Sequence, residues 1–543
     1  MSAIRNPLPV LGEFSRDFDS REILNREASN EIVFAVVGGA GSGTGVIAEQ
    51  LRILLIDTKM GGKAFDVVIL KASKVIRDWA EQHHKPLPPA EPKKLESAAI
   101  FQDYGDEMRE GVGTGKPDYS AVAVGLISDI QRTRAQRIGV AFNPGDEVAP
   151  DGAPRAYILD SIRHPAEVHL LREVYGDAFV LIGVVCEQSK REARMHTKYV
   201  DGGAVNARTF MKRDNADDGK KHGQQVAEAF HLADFFVDNT IDREIASGSP
   251  NRDWKVSEDL SRLVKIVTGT ELERPKLAET AMYHAFSTQM QSACLSRQVG
   301  AALVDNQGNL VATGANEVPK AGGGVYGESE KGDAEDARCA FFQLSDSRFC
   351  RNTREQNRII EELLEFLEAQ NINIPRKDAL ARELRRTRIG SLLEFSRAVH
   401  AEMDALLSAA RKGISIVGTR LFVTAFPCHY CARHIVTAGV DEVQYIEPYP
   451  KSQALTLHQD SITVEGKNWK APSEHGTQVL FHPFTGVSPR LYRRAFLKSG
   501  DLKDRATGSM RIHEPYWTSP WYLPKIGYVA IEAKLTGQKR EDA

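Results

Sequence analysis

The chain reads as an α/β protein with a parallel sheet in its first half and a second, mixed α/β domain after it. Three observations carry that reading. The run Ile32-Val33-Phe34-Ala35-Val36-Val37 is apolar without interruption, the pattern of a strand covered on both faces rather than one with a wet side. Similar runs recur at 65–70, 156–159 and 179–185 with helix-compatible stretches between them, which predicts strands joined by helical crossovers. A length of 543 residues exceeds what one hydrophobic core organises, so two or more domains are expected.

Composition narrows the class further. Hydrophobic residues make up 42% and charged residues 26%, close to the average for soluble globular proteins, which excludes a disordered or fibrous chain. A net charge of -3 gives no global basic field for gripping nucleic acid. The best apolar run, 178–186, is far short of the roughly 20 residues a spanning helix needs, so no membrane partner is expected. Six cysteines in so long a chain do not form a disulfide framework, and a reducing, cytoplasmic compartment is expected.

The elements follow in order. Residues 1–28 hold Pro7, Pro9 and mixed charge without an apolar signal core, and read as an N-terminal arm. Residues 29–265 form the first domain, in which the strand 32–37 runs through a glycine-rich turn into a helix over 46–55. The second domain, 270–465, begins with a helix over 276–297, then strands 299–304 and 309–312 about the turn Asp305-Asn306-Gln307-Gly308. Residues 317–345 read as a long loop. Ile359, Ile360, Leu363, Leu364 and Leu367 recur at helical spacing, which predicts a helical insertion over 350–396, broken at 371–375. Strands are expected at 416–424 and 443–446. The tail, 466–543, is rich in Trp, Pro and Tyr and reads as an ordered extension packed on the second domain.

The strongest chemical signal lies at His400-Ala401-Glu402, followed by Pro427-Cys428-His429-Tyr430-Cys431. A catalytic zinc takes three protein ligands and keeps one position open for water. His400, Cys428 and Cys431 supply one imidazole and two thiolates. Two cysteines three apart face one ion when they open a helix, Pro427 suits that entry, and a helix N-terminus favours thiolate. Glu402 is two residues from a ligand, held near the ion without binding it, and serves as the proton carrier. H-x-E with P-C-x-x-C is the pattern of a zinc-dependent nucleobase deaminase; a redox pair or a structural zinc is the competing use of a C-x-x-C alone.

Residues 276–450 resemble the deoxycytidylate deaminase family. The shared segments are Cys294-Leu295-Ser296-Arg297-Gln298-Val299-Gly300-Ala301, Thr313-Gly314-Ala315-Asn316-Glu317-Val318-Pro319 and the two zinc motifs. The resemblance implies a three-layer α/β/α domain that deaminates deoxycytidine nucleotides, with Asn316 on the deoxyribose and Arg297 near the phosphate. The chain departs from the family in two places: Glu317 stands where the family has glycine, and His400 follows Asn316 by 84 positions, a much longer interval. Cys294 with Cys339 or Cys350 matches a second, structural zinc of some relatives, although free cysteines are the preferred reading.

The loop Gly38-Gly39-Ala40-Gly41-Ser42-Gly43-Thr44-Gly45 follows a strand and precedes a helix. Its spacing suits a cradle of backbone amides for phosphate, with Gly38, Gly41, Ser42, Gly43, Thr44 and Gly45 as the contacts. A working P-loop carries Lys then Ser or Thr where this chain has Thr44 and Gly45. Phosphoryl transfer is therefore not expected, and a regulatory nucleotide stands beside a purely structural turn. Asp160, Arg163, Arg191 and Arg194 are candidate neighbours.

The whole chain resembles the two-domain anti-phage deaminases of bacteria, in which a degenerate P-loop kinase-like domain precedes the deaminase. Supporting segments are 206–214, 231–239 and 447–452. That resemblance implies conversion of dCMP to dUMP, of dCTP to dUTP or of both, depletion of dCTP during infection, and homo-oligomers, commonly hexamers. It also implies control through the N-terminal domain by a dTTP-like or other nucleoside triphosphate. An inhibitory RNA, a protein partner or a lost inhibitor stay open as the trigger. Two other functions compete: a polynucleotide deaminase gripping single strands with Arg490, Tyr492, Arg493, Arg494 and Phe496, and a nucleotide-sensing regulator whose deaminase activity is secondary.

Overall fold

The computed structural model describes residues 29–60, 62–89, 91–217, 220–245, 247–328, 338–341, 348–449, 451–497, 503–510 and 525–537. The expected arm, 1–28, lies outside the described residues. The chain divides into two compact units: one holds residues up to Ala233, Asp238–Leu272 and the chain from Ser499, and the other holds Asp234–Val237 and Glu273–Lys498.

The first unit is built on a parallel sheet. The strand Glu31–Val37 is flanked by Arg155–Ile162 and Phe179–Val185, with Asp66–Lys71 beyond Arg155–Ile162, and all these pairs are parallel. The uninterrupted apolar run is explained by its position, since Ile32 to Val37 are all at most 2% exposed. Helix Thr44–Ile56 follows the glycine loop directly. Its N-cap, Gly43, has φ +87°, a left-handed conformation that glycine adopts without a Cβ penalty.

The tail divides. Helix Lys525–Gly537 belongs to the first unit, not to the second domain as the sequence suggested. The reason is a buried charge: Glu532 reaches Arg134 at 2.7 Å, Arg134 reaches Glu31 at 2.7 Å, and Tyr175 donates to Glu532 at 2.7 Å. No periodicity advertises a single glutamate that completes an ion pair across 398 positions. Residues 234–237 are likewise not part of the first unit; they pair antiparallel with Gly486–Val487.

The second unit has a six-stranded mixed sheet in the order Ile462–Thr463, Val479–Pro483, Glu442–Glu447, Arg420–Ala425, Gly300–Val304, Leu310–Ala315. The first four are mutually parallel, and Gly300–Val304 runs antiparallel to both its neighbours. Helices cover both faces. A Cβ on Gly300 would meet Ala285 O at 1.9 Å, and one on Gly314 would meet Ala401 O at 2.3 Å. These two glycines are offset by one position across the 300–315 pairing, so they point to opposite sides. Helix Leu277–Gln289 therefore lies on one face and helix Ala401–Arg411 on the other.

Two boundaries move. The helix expected over 276–297 ends at Gln289, because the next residues bond outside it: Ser292 Oγ donates to Asn316 O and the Ala293 amide to Glu317. The strand expected from 416 starts at Arg420, after Gly418 turns the chain with φ +76°. The insertion forms helices Arg351–Ala369 and Lys377–Arg385.

Candidate metal centre and active site

Two helix starts converge to make the centre. His400 is the N-cap of helix Ala401–Arg411, and Cys428 is the N-cap of helix His429–Thr437. The first helix lies very close to the sheet because its facing side chains are small: Ala401, Ala405 and Ala409 are fully buried, and the backbone of Ala401 and Ala405 meets Gly314. Asp404 fixes its register by accepting the Ala315 amide at 3.2 Å. The second helix follows the strand Arg420–Ala425 through Phe426 and Pro427, and the Cys428 sulfur accepts the Cys431 amide at 3.5 Å.

His400 Nδ1 lies 3.3 Å from Cys428 Sγ and 3.4 Å from Cys431 Sγ. A tetrahedral zinc with its usual bond lengths needs N···S edges of roughly 3.5 Å. All three donor atoms lie within 4.8 Å of one another, and among the described residues this is the one group of three or more His, Cys, Asp or Glu so placed. Charge points the same way. A hydrogen bond from Cys431 brings the Cys428 thiol down to about 4, against burial and with help from His400. The hydrogen bond with Cys428, and then burial, push Cys431 up. The two sulfurs and the imidazole are thus gathered where a divalent cation would sit.

Glu402 is 4% exposed, and burial pushes its carboxyl up to about 7, opposed by His400. Burial works against charge on His400, yet the Cys428 sulfur and Glu402 hold it up at about 9. His400, Glu402 and Cys428 share one cavity of about 400 Å³ with Arg297, Asn316, Phe426, Tyr449 and Lys451, a size suited to a small ligand.

The remaining sequence candidates fall out differently. Asn316 lines the cavity, but its carboxamide braces the neighbouring chain: it donates to Arg297 O and accepts the Val299 amide, both at 2.6 Å. Arg297 also lines the cavity and pairs with Glu447. Cys294, Cys339 and Cys350 all reach the cavity wall but form no second cluster of three ligands among the described residues. In the first unit, Arg163, Arg191 and Asn239 donate to the carbonyls of Gly38, Ala40 and Ser42. They hold the glycine loop by its carbonyl side.

Sequence reasoning missed several residues. Glu317 is 2% exposed and accepts the amides of Ala293 and Val318 at 2.6 and 2.8 Å. Its own backbone pairs with Val399, at 3.1 and 2.9 Å, directly before His400. The departure from glycine is thus a clamp on the approach to the metal centre. Arg351, Asn352 and Arg397, from the insertion and its exit, also line the cavity. No motif or spacing marks them: Arg351 and Asn352 open the helix of the insertion, and Arg397 stands alone between Ser396 and Ala398.

Residues 275–447 match the family model for the cytidine and deoxycytidylate deaminase zinc-binding region. The second unit therefore carries a cytidine/deoxycytidylate deaminase domain of the zinc-binding kind. Among curated proteins, the deoxycytidylate deaminase of Enterobacteria phage T4 is 28% identical over 182 residues, which is 32% of this chain and 80% of the relative. The probable deoxycytidylate deaminase of Drosophila melanogaster is 40% identical over 95 residues, 17% of this chain and 45% of that protein. Among solved structures, the dCMP deaminase of cyanophage S-TIM5 in complex with dCMP and dUMP is 22% identical, with a TM-score of 0.22, covering 39% of this chain and 99% of that one.

Proposed function

We propose that the second unit hydrolyses the exocyclic amine of deoxycytidine nucleotides, converting dCMP to dUMP and dCTP to dUTP. The observation that carries this is the buried Glu402 carboxyl beside the His400, Cys428 and Cys431 donor set at the wall of a cavity. Zinc held by those three side chains would supply Lewis acidity and bring a water's pKa toward neutrality. Glu402 does the rest of the proton work. With its carboxyl near 7 it takes a proton from the attacking water and gives it to ring N3. It then takes the remaining proton from the new C4 hydroxyl and passes it to the amine, which leaves as ammonia as the C4–N bond breaks and the C4 carbonyl forms. Arg297, Arg351, Arg397 and Lys451 line the same cavity, and their positive charge favours a phosphorylated nucleoside over a free base.

The test is a panel of cytidine and deoxycytidine mono- and triphosphates, read by mass after incubation with wild type and Glu402→Gln. Wild type converts the deoxycytidine nucleotides, and the variant keeps its zinc but loses at least a hundredfold in rate. Normal turnover by Glu402→Gln overturns the mechanism.

On the resemblance to two-domain bacterial enzymes, we also propose that this activity depletes dCTP during phage infection. The first unit would be a degenerate P-loop kinase-like domain that regulates it through a nucleotide on the loop Gly38–Gly45, in a homo-oligomer. The polynucleotide reading loses support. Tyr492 is stacked on Tyr283 at 4.4 Å and bonded to Thr280, and Phe496 packs edge-on against Tyr492. These rings are spent on internal packing, not offered to bases.

A further inference from the structure

The first unit contains a cavity of its own, about 770 Å³, with the glycine loop in its wall. Two sets of polar groups there have no partner among the described residues. The Ala40 amide donates to Asp214 at 2.7 Å and the Ser42 amide to Gly39 O at 2.9 Å. The amides of Gly41, Gly43, Thr44 and Gly45 donate to no protein acceptor among the described residues. With the loop's carbonyls held by Arg163, Arg191 and Asn239, these amides are its free polar face.

The second set is one side chain. Gln102, on helix Leu95–Glu110, is 8% exposed, and neither its Oε1 nor its Nε2 has a hydrogen-bond partner among the described residues. A buried polar group left unmet costs about 1–3 kcal/mol, so such a group in a folded protein calls for an explanation. Gln102 lines the cavity, with Phe101 and Tyr199 beside it in the wall. Lys71, at the end of strand Asp66–Lys71, lines it too and forms no ion pair among the described residues.

We propose that this cavity binds a nucleoside 5′-phosphate, with Gln102 reading the edge of the base and Lys71 joining the loop amides on the phosphate. A carboxamide offers one donor and one acceptor side by side, the complement of a base edge that presents the same pair. Phe101 and Tyr199, each with a cation over its ring, add apolar surface to the wall. Lys71 brings the positive charge that a P-loop lysine provides and that Thr44 lacks. The assignment rests on reading Gly38–Gly45 as a phosphate cradle.

Equilibrium dialysis of the full-length, zinc-loaded protein tests it, with dTTP, dTMP, ATP, GTP and inorganic triphosphate as probes, none of them a cytosine substrate. At least one nucleotide binds. Gln102→Leu weakens that nucleotide about tenfold and leaves inorganic triphosphate unchanged, whereas Lys71→Ala weakens both. Gln102→Glu, which keeps the shape and removes the donor, weakens the nucleotide as Gln102→Leu does. The readout is binding and not turnover, so this result is independent of the deaminase mechanism. If no probe binds wild type, the cradle and the proposal fall together. If Gln102→Leu binds the nucleotide as tightly as wild type, the base-reading role is wrong.

Discussion

At the scale of single residues, the metal centre depends on side chains that are small as much as on those that react. Gly314 lets the helix carrying His400 and Glu402 touch the sheet, since a Cβ there would lie 2.3 Å from both Ala401 O and Ala405 N. Both obstacles are backbone, so nothing can swing aside. Gly314→Ala is expected to destabilise the chain by about 1–3 kcal/mol and to lower turnover by shifting Glu402 relative to its ligands. Thermal unfolding and dCMP kinetics check this together; an unchanged midpoint with wild-type kinetics would show that the close approach is unimportant. The reactive residues were legible because ligand chemistry restricts residue type and spacing. Asn316 was legible only as a member of the site, since what its carboxamide bonds to is a matter of tertiary placement.

At the scale of elements, helix ends carry the most chemistry. His164 caps helix Pro165–Tyr175 with Nδ1, which accepts the Ala166 amide at 3.1 Å, while Nε2 lies 3.1 Å from Lys221 O. That pattern requires a neutral ring with its proton on Nε2, and burial lowers its pKa from the ordinary 6.5. The unfolded chain therefore takes up a proton at a pH where the folded one does not. The stability contribution is complete above about pH 6.5 and is lost as pH falls below it toward the folded value. Melting temperatures of wild type between pH 8 and 5 should fall more steeply than those of His164→Asn, which keeps a capping oxygen and does not titrate; parallel curves would refute the role. Strand and helix cores were readable from apolar runs. Ends such as Gln289 and Arg420 moved because local bonds to Glu317 and a left-handed Gly418 overrode periodicity.

At the scale of the whole molecule, the two units have different sources of stability. The second is tied to its ligand set, and metal binding is coupled to folding. Chelation of zinc is expected to lower one calorimetric transition, that of the second unit, and to leave the other in place. A single transition that moves as a whole would show that the units unfold together. The first unit depends on buried charge instead. Glu532→Ala leaves Arg134, 0% exposed, with half its compensation, and a broken buried pair costs about 3–5 kcal/mol. Chemical denaturation should show that loss in the zinc-independent transition. The parallel sheet and the deaminase motifs could be read from the sequence. The helix Lys525–Gly537 could not be placed, because its partner residues lie hundreds of positions earlier.

That late helix sets an order on biosynthesis. The guanidinium of Arg134 and the phenol of Tyr175 leave the ribosome long before the carboxylate they both bond. Until residue 532 is made, the N-terminal half is a nascent chain whose buried Arg134 has Glu31 but not Glu532 to answer it. A recombinant fragment that stops before residue 525 would keep that half-met charge permanently, and would need the helix Lys525–Gly537 supplied, in cis or as a peptide, before it could mature.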